Sequence, residues 1–160
     1  MHTYQLIAVS ASNEEDALTI IDEVIHDKYS PFKWSDWCEV GGRWRNEFGE
    51  VISYATDPDA FTQALERAKT DRAKEVEDNL SYIKDLAGLI SDLKTFDGEV
   101  ADSNSDMYWL EKAIASVRGH GRQNAYFYDL DKNTERFNYV RGRIITAPNK
   151  QHLIVVDFHF

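Results

Sequence analysis
The sequence predicts an α+β domain: a mainly antiparallel sheet with helices on one face, ferredoxin-like and elaborated by a long amphipathic helix. Three observations predict it. Runs of β-prone residues stand near both ends of the chain, at Thr3 to Val9 and Leu153 to Phe160. One long stretch between them, about 58–96, carries apolar residues at helical spacing. The element order, roughly β-α-β-β-α-α-β-β, fits a sheet with segregated helices and a split β-α-β core. The 160 residues are read as one domain, 1–160, large enough to bury about two-thirds of the surface its unfolded chain exposes.

The elements follow in order. After the first strand, Glu14-Glu15-Asp16 supplies acids for the positive end of a helix. Ala17, Ile20, Ile21, Val24 and Ile25 give it an apolar side, so a helix is expected from about Glu14 to Asp27, ended by Ser30-Pro31. Trp37 to Val40 reads as a strand closed by Gly41-Gly42. Arg43 to Ser53 reads as a second extended piece, interrupted near Phe48-Gly49, and a hairpin is expected here. Asp57-Pro58 marks a helix start, with Asp57 as cap and Pro58 in the first turn. The stripe Phe61, Leu65, Ala68, Ala73, Val76, Leu80, Ile83, Ala87 and Ile90 carries that helix from Asp59 towards Phe96, with Gly88 as a site for a kink. A further helix is expected at Asp106 to Val117, stopped by Gly119-His120-Gly121. Ala125 to Tyr128 reads as a strand, with Glu135 to Val140 pairing back across a turn. The last strand is apolar on both faces, which predicts a central position.

Composition narrows the function classes. The formal charge is −10, from 18 Lys and Arg against 28 Asp and Glu. An acidic body disfavours direct nucleic-acid binding, which needs a basic surface to neutralise phosphates. The charge fits either a basic partner or plain solubility. No apolar run reaches membrane-spanning length, so no membrane association is expected. The one cysteine, Cys38, agrees with a reducing, cytoplasmic setting and excludes a multi-cysteine zinc site. The glycines match neither phosphate-loop nor dinucleotide-binding patterns.

Three of the four tryptophans fall within Trp34-Ser-Asp-Trp37-Cys-Glu-Val-Gly41-Gly42-Arg43-Trp44. Trp and Arg dominate interface hot spots. Trp37, Glu39, Arg43, Trp44 and Arg45 are therefore the candidate partner-binding residues. Base stacking is another use of such rings, and core filling beside a glycine turn is the structural alternative. On the last strand, alternation puts Asp157 and His159 on one face. That pair can orient a general base, contribute to a metal site with Glu39, Asp36, His2 or Cys38, or simply form a buried hydrogen bond. Cys38 with His159 as base is a weaker nucleophile candidate. Arg118, Arg122, Arg136, Arg141 and Arg143 supply a basic concentration that can face the acidic helix.

The segment Asp36-Trp37 … Gly41-Gly42-Arg43-Trp44, together with Val155-Val156-Asp157-Phe158-His159, resembles a group of small phage and prophage proteins. That group has no established activity. The resemblance covers about twenty residues and the β-α opening, and omits the long helix. It implies a virus-encoded accessory protein in the cytoplasm of a bacterial host. The expectation is non-enzymatic binding to a host protein or complex, of the kind an anti-CRISPR-like inhibitor of a defence system performs. The acidic face would imitate nucleic-acid phosphates. No cofactor and no metal are expected. The long helix offers a route to a homodimer. The alternative is a small hydrolase-like enzyme or ligand-binding protein with a pocket around Arg43, Asp157 and His159.

Overall fold
The computed structural model describes residues 2–92, 113–114 and 126–159. The predicted loop near 97–105, the glycine stop at 119–121, Arg118, Arg122 and most of the 106–117 helix lie outside the described residues; Ala113 and Ile114 are helical. Strand β1 (His2–Ser10) leads to α1 (Glu14–His26), then β2 (Trp37–Val40), a short α2 (Arg45–Phe48) and β3 (Val51–Ser53). The long α3 (Pro58–Asp92), β4 (Phe127–Asp129), α4 (Asn138–Thr146) and β5 (Gln151–His159) complete the domain.

The sheet runs β2-β5-β1-β4, with β3 also on β5. All ladders are antiparallel except β1 with β4. The predicted mainly antiparallel α+β sheet is therefore present, and β5 is central as its apolar faces predict. β1 and β5 pair along their whole length, His2 opposite His159 through Ser10 opposite Gln151.

The prediction that helices cover one face needs correction. Tyr4, Leu6, Ala8, Leu153 and Val155 pack on Phe61, Ala64, Leu65 and Ala68 of α3 and on Val140 of α4. Ile7, Val9, Ile154, Val156 and Phe158 pack on Ala17 and Ile21 of α1 and on Phe32. Side chains alternate along a strand, so these are opposite faces and the domain has three layers. Two amphipathic helices each need an apolar surface, and strands apolar on both sides provide one for each. The central β1–β5 pair is antiparallel and helices lie on both faces, a different arrangement from the one-sided ferredoxin-like layout expected.

Local chemistry sets the helix starts. Asn13 caps α1: its Oδ1 accepts from the Asp16 amide at 2.8 Å. Asp57 caps α3 as predicted, accepting from the Ala60 amide at 2.8 Å. α3 passes Gly88 and continues to Asp92 without interruption; Phe96, its expected end, lies outside the described residues.

Two extended segments in the sequence reading are helical instead. Gly42–Trp44 forms a single 3-10 turn and Arg45–Phe48 a single α turn, so no hairpin forms here. β2 and β3 are two halves of one edge, both paired to β5. The Val155 carbonyl accepts from the Gly41 amide at 2.7 Å, and the Val155 amide donates to the Glu50 carbonyl at 3.0 Å. Residues 42–49 therefore leave the ladder at one point and return at the same point. What pulls them out is the α3-side core, where Trp44 and Phe48 pack. Glu135 to Val140 does not return as a strand: only Thr134 bridges Asp129, and α4 follows.

Candidate functional site
The excursion of residues 42–49 sits directly over the end of β5. A Cβ placed on Gly42 would lie 2.4 Å from Asp157 Cβ and 2.7 Å from its Oδ2, and Gly42 has φ +45°. Only glycine fits that spacing and that left-handed backbone. The contact lets the Arg43 amide donate to Asp157 Oδ2 at 3.1 Å. Asp157 is fully buried. The Gly-Gly-Arg turn and the closing strand thus meet through a carboxylate that grips the turn's backbone.

The second partner of Asp157 is a correction. His159 was expected to share its face and bond to it. The face is shared, but the bond goes to His2, whose Nδ1 lies 3.1 and 3.3 Å from the two carboxylate oxygens. Residues i and i+2 on a strand stand a full pleat apart, whereas His2 lies diagonally across the ladder within reach of a side chain. His159 Nδ1 instead approaches Asp36 Oδ2 at 3.7 Å. Its ring stacks on Trp37, centroids 5.6 Å apart and planes 12° apart. His2 closes the group, edge-on to both rings at 4.9 and 5.4 Å.

The three clustered tryptophans divide between three environments. Trp34 packs with Phe158 at 4.9 Å on the α1 side. Trp44 packs edge-to-face on Tyr4 at 5.1 Å on the α3 side. Trp37 is 44% exposed, on an edge strand. The core-filling alternative holds for Trp34 and Trp44, which are partly buried against the core, and fails for Trp37. Glu39, opposite Asp157, is exposed, as are the side chains of Arg43 and Arg45. Arg45 pairs with Glu50 at 2.6 Å. The surface that remains combines Trp37, Glu39, Arg43 and Arg45 at one corner of the sheet.

The Cys38–His159 nucleophile reading fails on geometry. Cys38 lies opposite Phe158 and packs into the α1-side core, while His159 points to the other face. Burial also pushes the Cys38 thiol up, away from thiolate. Among the described residues, no group of three or more His, Cys, Asp or Glu is placed to hold a metal ion. The arginines expected to face the acidic helix divide too. Arg141 reaches Glu66 of α3 at 2.7 Å, but Arg143 turns inward to Asp129.

Beside His2, under α3, lies a cavity of about 330 Å³ lined by Tyr4, Trp44, Asp71, Glu75 and Tyr126 among others. The Tyr4 hydroxyl donates to Asp71. Burial and then that bond hold the Tyr4 phenol well above its usual range. Burial, with the Glu75 and Asp71 carboxylates, pushes Tyr126 to about 12. An unfolded tyrosine ionises near 10. The stabilisation these phenols give is therefore complete below pH 10 and falls as pH rises towards 12. Tyrosinate absorbance should show Tyr4 and Tyr126 ionising late, together with unfolding. A single transition of all eight tyrosines near pH 10 in the folded protein would contradict this.

Compared with protein-family models, curated proteins and solved structures, the chain matches none. Fold and site define a mixed α+β domain with an exposed Trp-Arg corner braced by a buried aspartate. Among the described residues, no helix is long and apolar enough to cross a membrane.

Proposed function
We propose that this chain is a non-enzymatic binding protein whose exposed corner, Trp37, Glu39, Arg43 and Arg45, engages a protein partner. One observation carries the reading. Asp157 is fully buried and spends its oxygens on the Arg43 amide and His2, while the Arg43 side chain and Trp37 ring project outward. A rigid backbone carrying an exposed aromatic and arginines is what an interface anchor needs. Trp44 serves this surface from below, by fixing the turn on Tyr4. The reading extends to a phage accessory protein that binds and blocks a bacterial host protein, on the strength of the motif resemblance. The formal charge of −10 favours a basic target, of the kind that otherwise holds nucleic acid. An enzyme centred on Arg43, Asp157 and His159 has less support, because a carboxylate without accessible surface cannot touch a substrate.

Arg43→Ala removes an exposed side chain, so stability should change by less than about 1 kcal/mol; Trp37→Ala also gives up the His159 stack and the buried part of its ring and should cost about 1–3 kcal/mol. Both should weaken a stoichiometric, salt-sensitive complex recovered from host lysate by more than about tenfold. If the same partner is retained by both variants, or none is recovered at low salt, the reading fails. Light scattering of the free protein separates this from self-association through α3, where Leu80 is 39% exposed.

A further inference from the structure
β2 ends the sheet on its side. Among the described residues it pairs with β5 alone, and its other edge faces no strand. An edge strand turns every second amide and carbonyl away from its ladder. The register says which. Val155 turns both of its backbone groups towards this side, its amide to Glu50 and its carbonyl to Gly41. By alternation Asp157 and His159 do the same, so Glu39 and Trp37, which stand opposite them, bond inward. Cys38 and Val40 therefore turn theirs outward. The Val40 carbonyl shows the direction, since the exposed Arg45 guanidinium donates to it at 3.4 Å. The Cys38 amide and carbonyl and the Val40 amide stay open to an added strand.

The edge has unlike faces. Trp37 stands opposite His159, and the Asp36 amide also donates to the His159 carbonyl, at 2.8 Å. This is a bulge, and it keeps the Asp36 carboxylate on the His159 side, 3.7 Å from that ring. Trp37 thus lies between the exposed carboxylates of Asp36 and Glu39. On the opposite face Cys38 and Val40 are half-buried against the α1-side core.

A short strand offers few backbone bonds, so side chains choose the occupant. A second copy would gather Asp36 and Glu39 of both chains in one patch, on a chain of formal charge −10, and like charges oppose such pairing. A lysine or arginine opposite Glu39 meets the opposite charge and can lie against the Trp37 ring. Apolar residues at the alternate positions cover Cys38 and Val40.

We infer that the partner is held by strand addition: an extended segment of alternating basic and apolar residues pairs with the open edge of β2, its basic side chains on the Asp36–Trp37–Glu39 face. This rests on the proposal that the corner binds a protein, and adds the form and charge of the bound segment.

The test uses the intact protein with acetyl-Val-Lys-Val-Lys-Val-amide, the same peptide with N-methylated valines, and its Val-Glu-Val-Glu-Val analogue. The readout is amide hydrogen exchange by NMR. At saturation the lysine peptide should slow the Cys38 and Val40 amides about tenfold or more, and leave those of Trp37 and Glu39, already bonded to β5, unchanged. N-methylation removes the donors and glutamate reverses the charge, so both analogues should fail. Glu39→Lys, at an exposed position, should weaken the lysine peptide about fivefold or more. Unchanged Cys38 and Val40 exchange with the lysine peptide, an equal response to either analogue, or protection that rises with protein concentration alone, as a second copy would give, overturns the inference. Where a host complex depends on Arg43 and yet its Cys38 amide exchanges as in the free protein, the binding reading stands and strand addition is overturned.

Discussion
Replacing Arg143 with alanine should destabilise the protein by about 3–5 kcal/mol, the usual result of stripping the partner from a buried charge. Arg143 Nη1 donates to both oxygens of Asp129, at 3.0 and 2.9 Å, and its Nε donates to Gln151 at 3.0 Å. The Asp129 side chain has no exposure and that of Arg143 only 17%. This pair ties α4 to β4 and, through Gln151, to the start of β5. Without the guanidinium, the Asp129 side chain keeps one donor among the described residues, the Lys132 amide at 3.2 Å. Urea titration reads the loss directly as a fall in midpoint. The double variant Asp129→Asn, Arg143→Met should recover part of it, since a neutral amide still accepts from Lys132 and no charge is left buried. A loss below about 1 kcal/mol in the single variant would place the pair with weak surface bridges.

Gly42→Ala should cost about 3 kcal/mol. Left-handed backbone strain contributes about 1 kcal/mol, and forcing a methyl into a packed site adds about 1–3 kcal/mol. The obstacle is Asp157, held by the strand on one side and by His2 and Arg43 on the other, so it cannot swing away cheaply. Gly49→Ala shows strain without crowding: φ +78° with ψ −162° is a backbone region open essentially to glycine alone, and the nearest atom to an added Cβ is 3.9 Å away. It should cost about 1–3 kcal/mol from the backbone alone. A loss of about 1 kcal/mol or less in Gly42→Ala, read by urea titration, would mean that the contact with Asp157 contributes nothing.

Elements whose evidence is local were legible in the sequence. The acids of Glu14 to Asp16 and the Asp57-Pro58 start place α1 and the beginning of α3 to within a few residues, and the doubly apolar Leu153 to Phe160 run places β5 at the centre. That same run implied a core on each side of the sheet, yet the helices were assigned to one face. Trp44 and Phe48 stand four apart, a helical signal outweighed by the β-like character of Val51 to Tyr54. Partner choice across the sheet was not legible. Whether Asp157 bonds to His159 or His2 depends on the β1–β5 register, which no local pattern states. The inward turn of Arg143 likewise follows from long-range pairing.

The central claim is that Asp157 grips the Arg43 backbone and so presents the Trp37–Arg43 corner as a rigid surface. Amide hydrogen exchange at Arg43 tests it most directly, read beside Gly41, whose amide bonds to Val155 at 2.7 Å. In the unaltered protein both amides should be protected. In Asp157→Ala, Arg43 should lose about ten- to a hundredfold of protection beyond any loss shared with Gly41, since breaking a hydrogen bond to a buried charged group removes about 1.5–3 kcal/mol. An Arg43 amide that exchanges freely in the unaltered protein while Gly41 stays protected would contradict the claim.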